Sequence, residues 1–135
     1  MGHILVIDDD SGVRETFALT LEACGHDVTT ASGGLEGLVA ARNRKPDLIF
    51  LDLKMPGMTG VETLRHLQSI CPESPVYVVT GFYEEFLAPL RQLQTDGINF
   101  DVARKPLGLA EIRAIADSRL KYKTAPIPLV AEASA

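Results

Sequence analysis

The chain is predicted to fold as an α/β domain, with a five-stranded parallel sheet wound by helices on both faces. Two observations carry that prediction. Five short β-rich runs alternate with five stretches of helical periodicity, and strict β–α alternation implies parallel strands joined by right-handed crossovers. One run, residues 47–51, is nearly all apolar, as a strand buried on both faces must be. The length of 135 residues fits a single domain.

The elements follow in order. Residues 3–7 form a Leu and β-branched run, read as the first strand. Val13, Phe17, Leu21 and Cys24 recur at helical spacing, with Ser11 as an available cap and Gly25 as a stop. Residues 27–31 carry Val28, Thr29 and Thr30 and read as the second strand. Leu35, Leu38, Val39 and Arg42 mark a second helix, weakened by Gly34 and Gly37. After the apolar third strand, Pro56, Gly57 and Gly60 bend the chain. Thr59 and Glu62 then fit a capping box for a helix whose inner face is Val61, Leu64 and Leu67. Residues 75–79 are the fourth strand and residues 99–103 a weaker fifth. Between them Phe86, Leu87, Leu90 and Leu93 suggest a helix that begins late, near Pro89, after an aromatic-rich stretch. Leu109, Ile112, Ile115, Ala116 and Leu120 close the domain with a fifth helix.

Composition narrows the function. Net charge is −5, so a basic field for nucleic acid is absent, and Lys121, Tyr122 and Lys123 read as a solvated helix end. No apolar run reaches the roughly 18 residues of a membrane span, and the N-terminus runs into aspartates rather than a secretory cleavage site. Cys24 and Cys71 form no C-x-x-C pair and read as reduced, partly buried thiols of a cytoplasmic protein.

The chemistry gathers where strands end. The first strand runs into Asp8, Asp9 and Asp10, the third into Asp52, the fourth into Thr80 and Gly81, and the fifth into Lys105 and Pro106. In a doubly wound sheet these points share one edge, beyond the carboxyl ends of the strands. Carboxylates brought together raise one another's pKa unless a cation sits among them, and such an oxygen set suits Mg²⁺. Mg²⁺, a hydroxyl donor and an ammonium are what a transferring phosphoryl group needs, and a remaining carboxylate can be its nucleophile. Each residue alone has an ordinary structural reading: an Asp as cap, a Thr in a loop, a Lys in solvent. Their joint placement after different strands favours the functional one.

From residue 4 to residue 120 the sequence resembles a response regulator receiver domain of the chemotaxis-regulator type. Ile4 through Asp10 resemble the opening strand and acidic pair, Pro46 through Gly60 the phospho-acceptor segment, Pro75 through Gly81 the switch-threonine strand, and Lys105-Pro106 the terminal lysine motif. The resemblance implies a flavodoxin-like (βα)5 fold with strand order 2-1-3-4-5. It implies that Asp52 accepts a phosphoryl group from a phosphohistidine, and that Asp8, Asp9, Asp52 and the backbone carbonyl of Lys54 hold Mg²⁺. Thr80 would bond the phosphoryl oxygen, Lys105 would pair with the phosphate, and the peptide before Pro106 would be cis. It implies a signalling protein rather than a classical enzyme, cytoplasmic, with no direct nucleic-acid or membrane contact. The partners would be a sensor histidine kinase or phosphotransfer protein and a downstream protein or separate output domain, with homodimerisation compatible. Residues 1–122 would be the receiver and 123–135 a flexible tail or linker. Asp10 is assigned a capping role for the first helix.

The readout surface departs from the family pattern. The position of the family's switch aromatic falls on Val102, and Phe100, two residues earlier on the same face, is the candidate substitute. Rearrangement of residues 82–93 is the alternative, against the plain reading that Phe82, Tyr83 and Phe86 fold back onto the core. Lys54, Gly81 and Phe82 are expected to modulate water access to Asp52. Two other functions compete. Asp8-Asp9-Asp10 contains the D-x-D of aspartate-nucleophile phosphatases, with Asp8 as nucleophile, but this leaves the Asp52 segment unexplained. A receiver fold serving only as a binding module is the other, but Asp52, the acidic pair and the Lys are all retained.

Overall fold

The computed structural model describes residues 2–121, with the Lys121 side chain outside that description. The expected tail from residue 123 and the Tyr122 and Lys123 of the basic patch also lie outside the described residues. The strands are β1 (His3–Ile7), β2 (Asp27–Ala31), β3 (Leu48–Asp52), β4 (Val76–Thr80) and β5 (Asp101–Arg104). The α-helices are α1 (Ser11–Ala23), α2 (Gly34–Asn43), α3 (Gly60–Ile70), α4 (Leu87–Thr95) and α5 (Leu109–Lys121), with a 3₁₀ turn at Glu84–Phe86. All pairings are parallel, in the order β2-β1-β3-β4-β5.

Strand alternation divides the core in two. Leu5, Ile7, Ile49, Leu51 and Val78 face Leu38, Leu64, Leu67, Leu90 and Leu93. Ile4, Val6, Leu48, Phe50 and Val79 face Phe17, Leu21, Ile112 and Ala116. Every residue of β1 and β3 is buried, so these two central strands hold whatever follows them at a fixed height.

Several boundaries differ from the expectation, each for a local reason. In α1, Asp10 fills the capping role assigned to it and Ser11 opens the helix instead of capping it: the Asp10 Oδ1 accepts from the N–H groups of Gly12 and Val13 at 2.8 and 3.2 Å. β3 begins at Leu48 because Asp47 is used as a clamp, its N–H donating to the His3 carbonyl and its Oδ2 accepting from the His3 N–H. β4 begins at Val76 because Pro75 has no N–H to give a ladder, although its carbonyl accepts from Ile49. β5 starts at Asp101, opposite Tyr77, leaving Asn99 and Phe100 in the approach to it.

Three positions read as inward from periodicity point to solvent. Leu35, Val39 and Leu109 are 67%, 52% and 50% exposed. In α2 the inner face is instead Gly34, Gly37, Leu38 and Ala41. A methyl on Gly37 would lie 2.5 Å from Ile7 Cδ1, so the glycines let α2 approach the sheet closely, whatever they subtract from helix propensity. Cys24 is also exposed, at the end of α1 where the chain turns through Gly25; Cys71 is buried.

The fourth helix begins at Leu87 rather than Pro89. Pro89 then lies in the first turn, where a backbone N–H has no intrahelical partner to lose, so Ala88 keeps its helical conformation. The stretch before it is neither irregular nor part of one helix: Glu84–Phe86 form a 3₁₀ turn. Its aromatics divide. Tyr83 and Phe86 pack against the core, and Phe82 is 47% exposed.

Candidate functional site at the carboxyl ends of the strands

Asp8 follows β1 directly and is 3% exposed. It is held from several directions. Its N–H donates to Ala31 O, its Oδ1 accepts from the Asp10 N–H at 2.9 Å, and its carbonyl accepts from Arg14 Nη1 at 2.8 Å. Asp52 is the last residue of β3, opposite Val79, and is 6% exposed. Asp9 is exposed. One carboxylate oxygen from each of Asp8, Asp9 and Asp52 lies within 4.8 Å of the others.

Lys105 enters from the loop after β5, following Arg104, which pairs with Thr80. Its Nζ is 2.8 Å from Asp8 Oδ2 and 3.5 Å from Asp52 Oδ1, and the Lys105–Pro106 peptide is cis, as expected. Burial alone would lower the Lys105 pKa, but the hydrogen bond from its ammonium to Asp8 and the charges of Asp52 and Asp8 hold it above the ordinary lysine value. Asp52 moves the other way from a usual paired carboxylate. Burial first, then the charge of Asp8, pushes its pKa up to about 6, against the opposing charge of Lys105 and the Lys54 N–H. One lysine is not enough positive charge for three carboxylates. The surplus of hard, anionic oxygens is the donor chemistry of a divalent cation.

Thr80 ends β4 fully buried, and its Oγ1 accepts the Phe82 N–H at 2.9 Å. Gly81 leaves room, since a Cβ there would meet only Lys105 Cβ, at 3.8 Å. Lys54 leans over the Phe82 ring, its Nζ 4.0 Å from the ring centroid and 3.5 Å from Glu85. Asp8, Asp9, Asp52, Thr80 and Lys105 thus share one end of the sheet, with Lys54 and Phe82 at its rim. Phe100 does not join them. It precedes Asp101 while Thr80 pairs with Arg104, so it lies at the far end of β5, partly buried against the core. Val102, 36% exposed, lies within the outer strand β5 opposite Val78 and is not a packed core valine.

Two features were not legible as site residues. Arg14 binds the Asp8 carbonyl from the first turns of α1, and no sequence pattern marks it for that. Arg104 stacks on Tyr83, its Cζ 4.7 Å from the ring centroid; its place beside Lys105 was the available signal. Among the described residues, no helix is long and apolar enough to cross a membrane.

Comparison with known proteins agrees with this fold. The sequence matches the response regulator receiver domain family over residues 4–117. It is 34% identical over 126 residues to the alkaline phosphatase synthesis transcriptional regulatory protein PhoP of Bacillus subtilis, covering 93% of this chain and 51% of that protein. It is 36% identical over 135 residues to the KDP operon transcriptional regulatory protein KdpE of Escherichia coli, covering 96% of this chain and 57% of that one. The chain therefore spans little more than half the length of these curated relatives. A receiver domain structure from Clostridium thermocellum superposes with a TM-score of 0.77 at 30% identity, covering 91% of this chain and 97% of that one. With its flavodoxin-like strand order and the family match over most of its length, the chain belongs to the response regulator receiver domains of two-component signalling.

Proposed function

We propose that the chain is a phospho-acceptor switch, taking a phosphoryl group onto Asp52 from the phosphohistidine of a sensor histidine kinase or phosphotransfer protein. An Asp52 carboxylate oxygen attacks phosphorus in line, the P–N bond breaks, and its electron pair leaves with the imidazole. Lys105 moves its charge onto the phosphoryl oxygens, and the Thr80 hydroxyl donates to one of them. The donor set fits a divalent cation. Asp8, Asp9, Asp52 and the Lys54 carbonyl would hold Mg²⁺, which when bound neutralises the carboxylates and the equatorial oxygens. The readers are a downstream protein or an output domain. Residues 1–122 serve as the receiver unit and 123–135 as its tail or linker, in the cytoplasm, without direct contact to nucleic acid or membrane.

One observation carries this reading. Of the two buried carboxylates of the cluster, Asp52 is the less engaged, with Lys105 at 3.5 Å and the Lys54 N–H, whereas Asp8 has both oxygens occupied, by Asp10 and Lys105 at 2.9 and 2.8 Å. That disfavours Asp8 as a phosphatase nucleophile. The test is incubation with acetyl phosphate and Mg²⁺, with the acyl phosphate located by mass spectrometry. Label on Asp52 supports the proposal. Label on Asp8 overturns it in favour of the phosphatase, and absence of label together with absence of any Mg²⁺ effect overturns it in favour of a binding module.

The Phe82 ring under Lys54 also sets an expectation for the lifetime of the phosphoryl group. Hydrolysis needs a water in line with Asp52, and this pair stands at the rim. Phe82→Ala should speed loss of the phosphoryl group by roughly two- to tenfold, as expected for admitting a better-aligned nucleophile. Lys54→Ala should do so to a smaller degree. Decay rates of the isolated phosphoprotein measure both; identical rates in all three proteins would remove Phe82 and Lys54 as modulators.

A further inference from the structure

In this chain the coupling between Thr80 and the outer surface has an unusual path. Val102 is too small and too exposed to act as an aromatic rotor, and Phe100 is at the wrong end of β5. What does touch Thr80 is the segment at 82–86. Its first N–H, on Phe82, donates to Thr80 Oγ1 at 2.9 Å. The same segment is fastened to the sheet by Arg104. This residue is the strand partner of Thr80, its Cζ lies 4.7 Å from the Tyr83 ring centroid, and its Nη2 lies 4.0 Å from Glu84. The ring it covers packs on the core from the opposite side. The ion pair is long and solvated and adds little. The stacking of a planar guanidinium on a half-buried ring is the stronger contact.

We propose that Arg104 is a positioning residue: by stacking on Tyr83 it holds residues 82–86 so that the Phe82 N–H keeps Thr80 in its resting position. This inference rests on the phospho-acceptor reading above. For Thr80 to serve a phosphoryl group on Asp52, its hydroxyl must turn toward that group. The Phe82 N–H then loses its acceptor or follows it. Either way the 3₁₀ turn moves relative to Arg104, and the stack loosens. Linkage makes the relation reciprocal: if occupation of Asp52 weakens the Arg104–Tyr83 stack, removing the stack strengthens occupation of Asp52 by the same factor. A cation–π contact at a partly exposed site corresponds to roughly a two- to fivefold change in affinity.

The experiment uses the full chain with Mg²⁺ and beryllofluoride as the phosphoryl mimic. Arg104→Gln and Tyr83→Leu are each expected to tighten beryllofluoride binding by roughly two- to fivefold. The double variant should gain no more than either single one, because they break the same contact. Arg104→Lys should fall between wild type and Arg104→Gln. In the unliganded protein the Phe82 amide should exchange faster in both single variants. A merely structural role for Arg104 would lower thermal stability without tightening binding. Arg104 is exposed enough that its variants are expected to fold, and Tyr83→Phe, which retains the ring, should behave as wild type. If wild type binds beryllofluoride and none of the variants changes that affinity, the positioning role of Arg104 is refuted while the phospho-acceptor reading stands. If wild type itself fails to bind beryllofluoride, the phospho-acceptor reading fails, and this inference with it.

Discussion

Replacing Asp52 with Asn is expected to remove all acyl-phosphate labelling and, in the metal-free protein, to raise stability. The two effects have one origin. Burial and the charge of Asp8 put the Asp52 pKa at about 6, above its ordinary value of 3.8. The folded protein therefore holds this proton more tightly than the unfolded chain does. As pH rises from about 4 to 6 the folded state must give up a proton that the unfolded state has already lost, and stability falls across that window. At pH 7 in EDTA, wild type carries the whole penalty. Asn cannot ionise, while Lys105 keeps Asp8 as its nearer partner at 2.8 Å. We expect a gain of about 1–3 kcal/mol, from a shift of about two pH units at about 1.4 kcal/mol each less the lost Lys105 contact. In a domain of this size that is a rise in Tm of roughly 4–10 °C. Mg²⁺ should raise the Tm of wild type and do much less for the variant. Calorimetry with and without EDTA, at pH 5 and pH 7.5, measures all of this. A variant less stable than wild type at pH 7.5 in EDTA would contradict the electrostatic account.

Gly60→Ala is expected to be the most damaging single methyl in the loop that carries Asp52. The Gly60 N–H donates to Leu53 O at 2.9 Å, folding the start of α3 back against the end of β3. A Cβ at this position would collide with the Asp52 carbonyl oxygen and Leu53 Cα, both backbone atoms that cannot rotate aside. Either α3 or the end of β3 must shift. The expected loss is on the order of 3 kcal/mol, at the upper end for overpacking, with a weakened metal response because Asp52 moves. Gly57→Ala serves as the comparison. Its Cβ would meet nothing within 4 Å, but its φ of +75° is disfavoured with a side chain. About 1 kcal/mol is expected there, without loss of metal binding. Chemical denaturation of both variants distinguishes them; equal effects would mean that the Gly60 contact relaxes freely.

The sequence made the sheet and its chemistry legible for physical reasons. A strand buried on both faces must be apolar, so the polar residues at the strand ends, Asp8, Asp52 and Thr80, stood out by contrast with the runs before them even though they too are buried. Helical faces were harder. Leu35 and Val39 have the right spacing for an inward stripe, but α2 lies so close to the sheet that only Gly34, Gly37, Leu38 and Ala41 fit beneath it. Closeness of approach is a tertiary quantity, and periodicity does not encode it. The start of α4 was misjudged by treating Pro89 as an interior residue; position within the turn, not identity, decides whether proline is tolerated. Arg14 and the Arg104–Tyr83 stack were hidden because a long cationic side chain in an exposed context reads as solvated until its neighbours are placed.

The outermost strands bear on how this domain meets other molecules. β2 is largely polar, and its Asp27 is engaged by Arg44 at 3.0 Å; β5 is only four residues long, its Asp101 paired with Arg119 and its Arg104 laid over Tyr83. Short, charged borders whose side chains are already engaged are poor templates for a foreign strand. Extension of the sheet by another polypeptide is thereby discouraged on both flanks, which also protects the buried, mostly apolar β1 and β3 from aggregation. On the proposed phospho-acceptor reading, a visiting protein is then expected to meet the helical surfaces and the loop-bearing rim above Asp52 rather than zip onto the backbone.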